Sequence, residues 1–203
     1  MYFRMYNFLL YFGLEIKEKK FMLNAQDSLV LIIDIQDKLT KMLKEDICSQ
    51  IIEKSQKIVQ AAKILGIDTI LTEQYPKGLG QTIEGIREIL GENYKPVEKT
   101  SFSVTNEEGF SKMLKGYGKK QIVICGIESH ICVLQSAVSL LREGYEVYVV
   151  RDICASRKKF EFECAMDYLK NEGVKVASLE IVLFEWLKGA KNPDFKEVQA
   201  LIK

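Results

Sequence analysis

The residues best suited to chemistry lie at 121–136, where the sequence reads QIVICGIESHICVLQS. A short apolar run ending at Cys125 predicts a strand buried on both faces, and helical spacing of apolar residues then continues from Ile131 to Gly144. Cys132 therefore falls in the first turn of a helix, beyond the carboxyl end of a strand. Helix N-termini favour anions, and a thiolate there can have its pKa lowered to ~3.5–7.5. The pattern predicts a reactive thiol; the alternative is a small buried hydrophobic residue.

Other polar residues follow the ends of further predicted strands. Because the carboxyl ends of parallel strands share one edge of a sheet, we expect the strand-end polar residues to converge there and to compete for the site: Asp34, Thr72, Glu73, Lys99, Asp152 and the segment from Glu128 to Cys132. A nucleophilic cysteine needs a base for its proton and a positive charge to hold the thiolate. Asp34 and Lys99 could supply both. His130 lies only two residues before Cys132 on a helix, so the two side chains would not face each other, and we expect His130 to be a pocket wall or a cap.

Strand and helix patterns alternate along the chain. Predicted strands cover 28–33, 67–71, 96–100, 121–125, 146–150 and 174–177. Predicted helices cover 46–65, 81–90, 107–115 with Asn106 as cap, 131–143, 160–171, 181–187 and 194–202, and 72–80 is predicted as a loop. This alternation predicts an α/β fold with three layers, α/β/α, around a doubly wound, mainly parallel sheet of about six strands.

The amino-acid composition argues against nucleic-acid-binding, membrane-binding and zinc-binding proteins. The chain has 203 residues, 47% of them hydrophobic and 28% charged, with a net charge of +1. Neither a nucleic acid nor a membrane is expected as a partner, because no long single-sign charge block is present. The five cysteines form no C-x-x-C pair, and the chain has one histidine, so zinc-ligand spacing is absent. We expect reduced thiols and a cytoplasmic location.

The first 21 residues differ from the rest. They are aromatic-rich, then charged, and their apolar part is shorter than the ~20 residues of a membrane span. We predict that 1–21 is an N-terminal extension outside the fold and that 22–203 is one domain. An organellar-targeting segment is the alternative, because the first fourteen residues contain one arginine and no acid.

Five motifs, in this order and at this spacing, resemble the isochorismatase-like cysteine hydrolase superfamily, in the branch that holds isochorismatase-domain-containing and YcaC-like proteins. They span roughly 25–187 and read LVLIIDIQDKL at 29–39, TEQYPKGLG at 72–80, EKTSFS at 98–103, GIESHICVLQSA at 126–137 and RDICASR at 151–157. The resemblance implies a Rossmann-like fold and a catalytic triad of Asp34, Lys99 and Cys132. It also implies a non-proline cis peptide at Ile127–Glu128, with the amides of Glu128 and Cys132 as an oxyanion hole.

The same resemblance implies a function. We expect a hydrolase that forms a thioester with a small carbonyl substrate, with an amide-type C–N bond as its target, and we expect a homo-oligomer. No cofactor and no metal are expected, because the segment 72–76 lacks the histidines of the metal-binding nicotinamidase branch. Position alone suggests a substrate pocket formed by Gln36, Gln74, Tyr75, Phe102 and His130.

Two alternatives stay open at this point. One is a binding or scaffold protein that keeps the hydrolase fold without its activity, using an exposed apolar stretch at 184–187 as an interface. The other is thiol redox chemistry at Cys132 with Cys125 or Cys154 as the resolving thiol, which would require Cα atoms within ~7 Å.

Overall fold

The computed structural model describes residues 22–203; the predicted extension 1–21 lies outside the described residues. Within them, six parallel strands form one sheet in the order β3-β2-β1-β4-β5-β6. The strands are β1 (Ser28–Ile33), β2 (Asp68–Gln74), β3 (Val97–Lys99), β4 (Gln121–Ile127), β5 (Glu146–Ala155) and β6 (Lys175–Ala177). The strand order reverses between β1 and β4, which is where ligands bind in open α/β sheets.

The helices cover both faces of this sheet. They are α1 (Asp37–Thr40), α2 (Glu45–Ile64), α3 (Pro76–Leu79), α4 (Glu84–Leu90), α5 (Phe110–Gly116), α6 (Leu134–Arg142), α7 (Lys159–Asn171), α8 (Leu179–Leu187) and α9 (Phe195–Ala200). Right-handed crossovers place α2 and α4 on one face and α5, α6 and α7 on the other. The chain then returns, and α8 and α9 pack against α2. The predicted three-layer α/β/α fold is confirmed.

The core lies along the two central strands. Every residue of β1 and β4 is buried, as expected for parallel strands covered on both faces. At Gly126 these strands approach so closely that a Cβ atom would lie 2.0 Å from the carbonyl oxygen of Ile33, and its φ is 146°. Only glycine fits there, so Gly126 sets how closely the ends of β1 and β4 approach.

Three strands extend further than predicted. β2 continues to Gln74, which pairs with Lys99 of β3, although 72–80 was predicted as a loop. β4 and β5 continue to Ile127 and Ala155, which pair with each other. Polar residues and a glycine in these segments suggested loops, but ladder hydrogen bonds to a neighbouring strand override local propensity.

The predicted cap at Asn106 is wrong. Asn106 ends a 3-10 turn, and α5 begins only at Phe110 after Gly109. Glu107, predicted as the first helical residue, instead accepts hydrogen bonds from the backbone N–H groups of Thr100 (2.8 Å) and Ser101 (2.6 Å). Its side chain thereby fixes the loop that follows β3.

The apolar stretch 184–187 is not the exposed surface that the sequence suggested. Trp186 is 2% exposed and donates its indole N–H to Ser28 Oγ at 2.9 Å, so it secures α8 to β1. Phe184 is 40% exposed, and its ring lies 6.4 Å from that of Phe195. No helix in 22–203 has the length and apolar character needed to cross a membrane.

Candidate active site

A buried ion pair lies at the point where the strand order reverses. Asp34 follows β1 in a left-handed conformation (φ 53°), and Lys99 is the last residue of β3. Lys99 Nζ lies 2.7 Å from Asp34 Oδ2, and neither side chain is exposed to solvent. Burying two charges is costly unless further hydrogen bonds satisfy them, so the surrounding residues must provide those bonds.

Residues of β2 and of the loop after β3 provide them. The hydroxyl of Thr72, on β2, donates to Asp34 Oδ1 at 2.6 Å. Lys99 Nζ donates to Gln74 Oε1 at 2.6 Å and to the carbonyl oxygen of Ser101 at 3.1 Å. A third hydrogen bond from Nζ, to the carbonyl oxygen of Phe102 at 3.4 Å, uses the last ammonium proton of Lys99. Asp34 Oδ2 accepts no hydrogen bond within 22–203, and its contact with Lys99 is the ion pair alone. Gln74, predicted as a pocket wall, therefore holds Lys99 in place.

Cys132 lies beside this pair. It belongs to a π-helical turn, Ser129–Val133, between β4 and α6, and is 6% exposed. Burial raises the pKa of its thiol to about 12, reinforced by the Asp34 carboxylate and only partly opposed by the Lys99 ammonium. The position at a helix start predicted a lowered pKa; that prediction is wrong, and loss of water around the thiolate is the largest cause of the opposite shift. Cys132 is therefore a neutral thiol near pH 7, with the Asp34 carboxylate next to it.

The peptide bond Ile127–Glu128 is cis, as the resemblance implied. The Glu128 side chain is 7% exposed, and its Oε1 accepts hydrogen bonds from the backbone N–H of Arg157 (2.9 Å) and from Arg157 Nε (3.0 Å). Among the described residues, no acceptor is found for the Glu128 amide. The Glu128 side chain is thus held by the loop after β5, whereas the oxyanion role of the Glu128 and Cys132 amides stays a prediction.

Gln36 is another predicted pocket wall that the structure corrects. It is fully buried, and its amide makes three hydrogen bonds to backbone groups. Its Nε2 donates to the carbonyl oxygens of Gln74 (3.0 Å) and Gly80 (2.6 Å), and its Oε1 accepts from the Gln74 N–H (2.8 Å). Both ends of the Gln36 amide are thus used by backbone groups, so this side chain has a structural role. Gln36 secures the loop after β2 to the end of β1.

Tyr75 and Phe102 flank Lys99 from the loops after β2 and β3. The Tyr75 N–H donates to the Lys99 carbonyl oxygen at 2.9 Å, and Phe102 directly follows Ser101. Their side chains are 57% and 53% exposed. Both rings are therefore accessible at the edge of the sheet that holds the ion pair, and their role as substrate contacts stays a prediction.

The His130 side chain lines a cavity apart from the Asp34–Lys99 ion pair. Its Nδ1 lies 2.9 Å from Ser156 Oγ, and it lines a cavity of about 290 Å³ with Arg157, Lys158 and Glu161. None of the three triad residues lines that cavity. The expectation that His130 does not face Cys132 agrees with this position, and a contact between His130 and the substrate stays a prediction.

Two candidates from the strand ends have structural roles. Glu73, buried on β2, accepts hydrogen bonds from the N–H and hydroxyl of Thr82 (2.6 and 2.9 Å) and from the Tyr94 hydroxyl. Asp152 pairs with Lys54 at 2.6 Å and accepts from the Leu179 N–H at 2.8 Å. Both carboxylates hold secondary-structure elements together.

Sequence reasoning missed Arg157 and the carbonyl oxygen of Ser101. Arg157 ends the RDICASR motif, yet nothing local indicates that it reaches Glu128, 29 residues earlier. A backbone carbonyl carries no residue-type signal at all. Such partners become visible only when β5 and the loop after β3 are placed in space.

All five cysteines are free. Cys125 and Cys154 lie buried on adjacent strands, and burial raises the pKa of both thiols, for Cys154 to about 12. Since the thiolate is the reactive form, this environment disfavours them as resolving thiols. Residues 22–203 contain no group of three or more His, Cys, Asp or Glu side chains placed to hold a metal ion.

The chain is similar to known proteins over most of its length. Residues 28–181 match the family model of the isochorismatase domain. A curated relative from Danio rerio, isochorismatase domain-containing protein 2, is 36% identical over 180 residues, covering 89% of each chain. A solved structure from Caenorhabditis elegans, described as MAR1 ribonuclease, is 36% identical with a TM-score of 0.83, covering 89% of this chain and 92% of that one.

A more distant structure has the same fold. The YcaC gene product of Escherichia coli, described as an octameric hydrolase of unknown specificity, is 22% identical with a TM-score of 0.80. The match covers 91% of this chain and 97% of that one.

Proposed function

This chain belongs to the isochorismatase family and has a hydrolase-type fold, and from that premise we propose that it is a metal-independent cysteine hydrolase with Cys132 as its nucleophile. The substrate is a small carbonyl compound, and the bond cleaved is an amide-type C–N bond. The observation that carries this proposal is the buried Asp34–Lys99 pair beside a buried, protonated thiol.

The raised pKa of Cys132 decides how the nucleophile is activated. A preformed thiolate would be rare at neutral pH, so the proton must leave as the sulfur attacks. Asp34 Oδ2 accepts that proton, while Thr72 occupies Oδ1. Lys99 stabilises the negative charge, which shifts from the carboxylate to the sulfur in this step. General-base assistance of this kind contributes about 10²–10⁴-fold in rate.

The remaining steps follow from the same groups. Attack of Cys132 Sγ on the carbonyl carbon gives a tetrahedral intermediate, and protonated Asp34 gives its proton to the departing nitrogen. A thioester and a free amine result. Asp34 then takes a proton from water, the hydroxide attacks the thioester, and the thiol regains a proton as the carboxylic acid leaves. The Glu128 and Cys132 amides hold the oxyanion in both halves, each donor contributing about 3–4 kcal/mol.

The direct test is a screen of small amides with wild-type protein and Cys132→Ala. We expect turnover that Cys132→Ala abolishes and that Cys164→Ala, which removes an exposed thiol, leaves unchanged. Trapped thioester should be found by mass spectrometry on the peptide containing Cys132. Turnover that survives in Cys132→Ala would contradict the proposal.

An RNA oligonucleotide belongs in the same screen because the C. elegans relative is described as a ribonuclease. We expect no cleavage that depends on Cys132, since a thioester mechanism requires a carbonyl carbon. RNA cleavage abolished by Cys132→Ala would overturn the substrate class. If no small carbonyl compound or RNA were turned over, the scaffold alternative would be favoured.

We also propose a homo-oligomer, because the E. coli structure is described as octameric. Light scattering coupled to size-exclusion chromatography tests this, with 23.3 kDa as the mass expected of a monomer. Elution at that mass across a range of protein concentrations would contradict it.

A further inference from the structure

A second cavity lies apart from the triad. It has a volume of about 490 Å³ and lies between the first turn of α2 and the region where β5 leads into α7. Asp34, Lys99 and Cys132 do not line it. Cavities of about 300–1,000 Å³ hold small organic ligands, and the proposed hydrolase mechanism makes no use of this one.

The floor of the cavity is apolar. Ile51, Cys154 and Ala155 are each under 5% exposed and form its base, with Ile47 and Phe162 at the sides. Such a floor favours a hydrocarbon or aromatic body, because each buried CH₂ group contributes about 0.8 kcal/mol relative to water, roughly a fourfold change in affinity.

The rim is charged, and most of its acids are already paired. Glu163 is paired with Arg151 at 2.8 Å, and Asp152 with Lys54, which lies outside the lining, at 2.6 Å. The third acid, Asp46, lies in the first turn of α2. Asp46 makes no ion pair with a described residue, so one uncompensated carboxylate lies on the rim.

Several basic side chains of the rim have no acidic partner or keep free hydrogen-bond donors. Lys44 and Lys159 make no ion pair with any described residue. Arg157 uses its Nε for Glu128, whereas no bond is found for its two terminal nitrogens within 22–203. A guanidinium with free terminal nitrogens is suited to a carboxylate. The rim thus offers cationic donors above an apolar floor.

We propose that this cavity binds a small monocarboxylate with an apolar body. The body packs on Ile51, Ala155 and Phe162, and the carboxylate receives hydrogen bonds from the terminal nitrogens of Arg157, with Lys159 adding positive charge. This site is distinct from the hydrolytic centre and does not depend on the proposed function.

The experiment compares benzoate with benzyl alcohol, which has the same ring and no charge, by ligand-detected NMR on the full chain. We expect benzoate to bind with a Kd on the order of 1 mM and benzyl alcohol at least about tenfold more weakly. Benzoate binding should persist in Cys132→Ala. The result therefore tests this cavity independently of the proposed hydrolase activity.

Two variants locate the binding. Ile47→Trp, at a rim position that is 36% exposed, should fill the cavity and abolish benzoate binding. Lys159→Gln should weaken it by about two- to fivefold, and the matched control Lys112→Gln, on α5, should not. Phe162→Ala, at the side of the cavity, serves as the second variant if Ile47→Trp does not fold. Arg157 is left intact because it also positions Glu128.

Three results would overturn the proposal. Equal affinity for the two probes would remove the anion preference. Binding that is indifferent to Ile47→Trp or Phe162→Ala would place it elsewhere. Absence of any benzoate binding would mean that the cavity is closed to small ligands, for example by a second copy of this chain.

Discussion

Replacing Asp34 by Asn should separate the reactivity of the Cys132 thiol from catalysis. After burial, the Asp34 carboxylate is the largest cause of the raised pKa of Cys132, while Lys99 acts in the opposite direction. Asp34→Asn removes the repelling charge and keeps a side chain of the same size. Lys99 retains its hydrogen bonds to Gln74 and Ser101. We therefore expect the Cys132 pKa to fall.

The size of this change can be worked out. A neighbouring charge moves a pKa by about one to three pH units, so the thiolate fraction at a fixed pH below the pKa rises about 10- to 1,000-fold. A less basic thiolate is a weaker nucleophile, with a Brønsted slope of about 0.4–0.5. The net increase in alkylation rate is about 3- to 60-fold. Turnover should fall about 10²–10⁴-fold, because the general base is lost.

The assay is iodoacetamide alkylation at several pH values, read by mass spectrometry on the peptide containing Cys132, with exposed Cys164 as internal standard. In the wild type we expect slow labelling at pH 7 that rises throughout the alkaline range, as the raised pKa requires. Asp37→Asn, which removes a nearby carboxylate outside the ion pair, is the control and should leave the rate unchanged.

Folding must be checked in parallel, because breaking a buried ion pair costs about 3–5 kcal/mol. Circular dichroism of Asp34→Asn under the alkylation conditions provides that check. If folded Asp34→Asn were alkylated at the wild-type rate or more slowly, the reasoning that the carboxylate suppresses the thiolate would be refuted.

Three further predictions concern the supporting residues. Thr72→Val removes the hydroxyl that donates to Asp34 Oδ1, and urea unfolding should show a loss of about 1–3 kcal/mol; an unchanged free energy of unfolding would mean that this bond is dispensable. Gln36→Leu leaves three backbone groups without partners, so the same measurement should show a loss of at least about 2 kcal/mol. Burial and the hydrogen bond to Glu73 raise the pKa of Tyr94 to about 12. The resulting stability is fully present below the unfolded-state pKa of about 10 and is lost as the pH rises from there toward 12. Tyr94→Phe should remove that pH dependence, and parallel wild-type and variant stability curves over this range would argue against it.

Much of the fold could be predicted from the sequence, because each signal was local. The apolar runs at 28–33 and 121–125 predict buried strands whatever surrounds them, and Gly66 and Gly144 mark helix ends by their own conformational freedom. The ends of β2, β4 and β5 could not be predicted in this way. Their last residues are held by pairing with strands that are distant in sequence.

For the candidate site, too, the sequence predicted some features, and others became visible only in the structure. Residue types and motif order indicated Asp34, Lys99 and Cys132, and these three carry the proposed chemistry. The sequence did not distinguish side chains that support the site from those that are free to meet a substrate. Gln36 and Gln74 were expected in the pocket, yet their amides are used by hydrogen bonds within the protein.

The protonation state of the Cys132 thiol was decided by tertiary structure alone. The sequence by itself determined that a cysteine follows a buried strand at the start of a helical segment, which favours a lowered pKa. Folding brings Asp34 from β1 beside that thiol and excludes water from both. Desolvation and like-charge repulsion raise the pKa of Cys132, and both depend on how folding places segments about 100 residues apart, which no local pattern records.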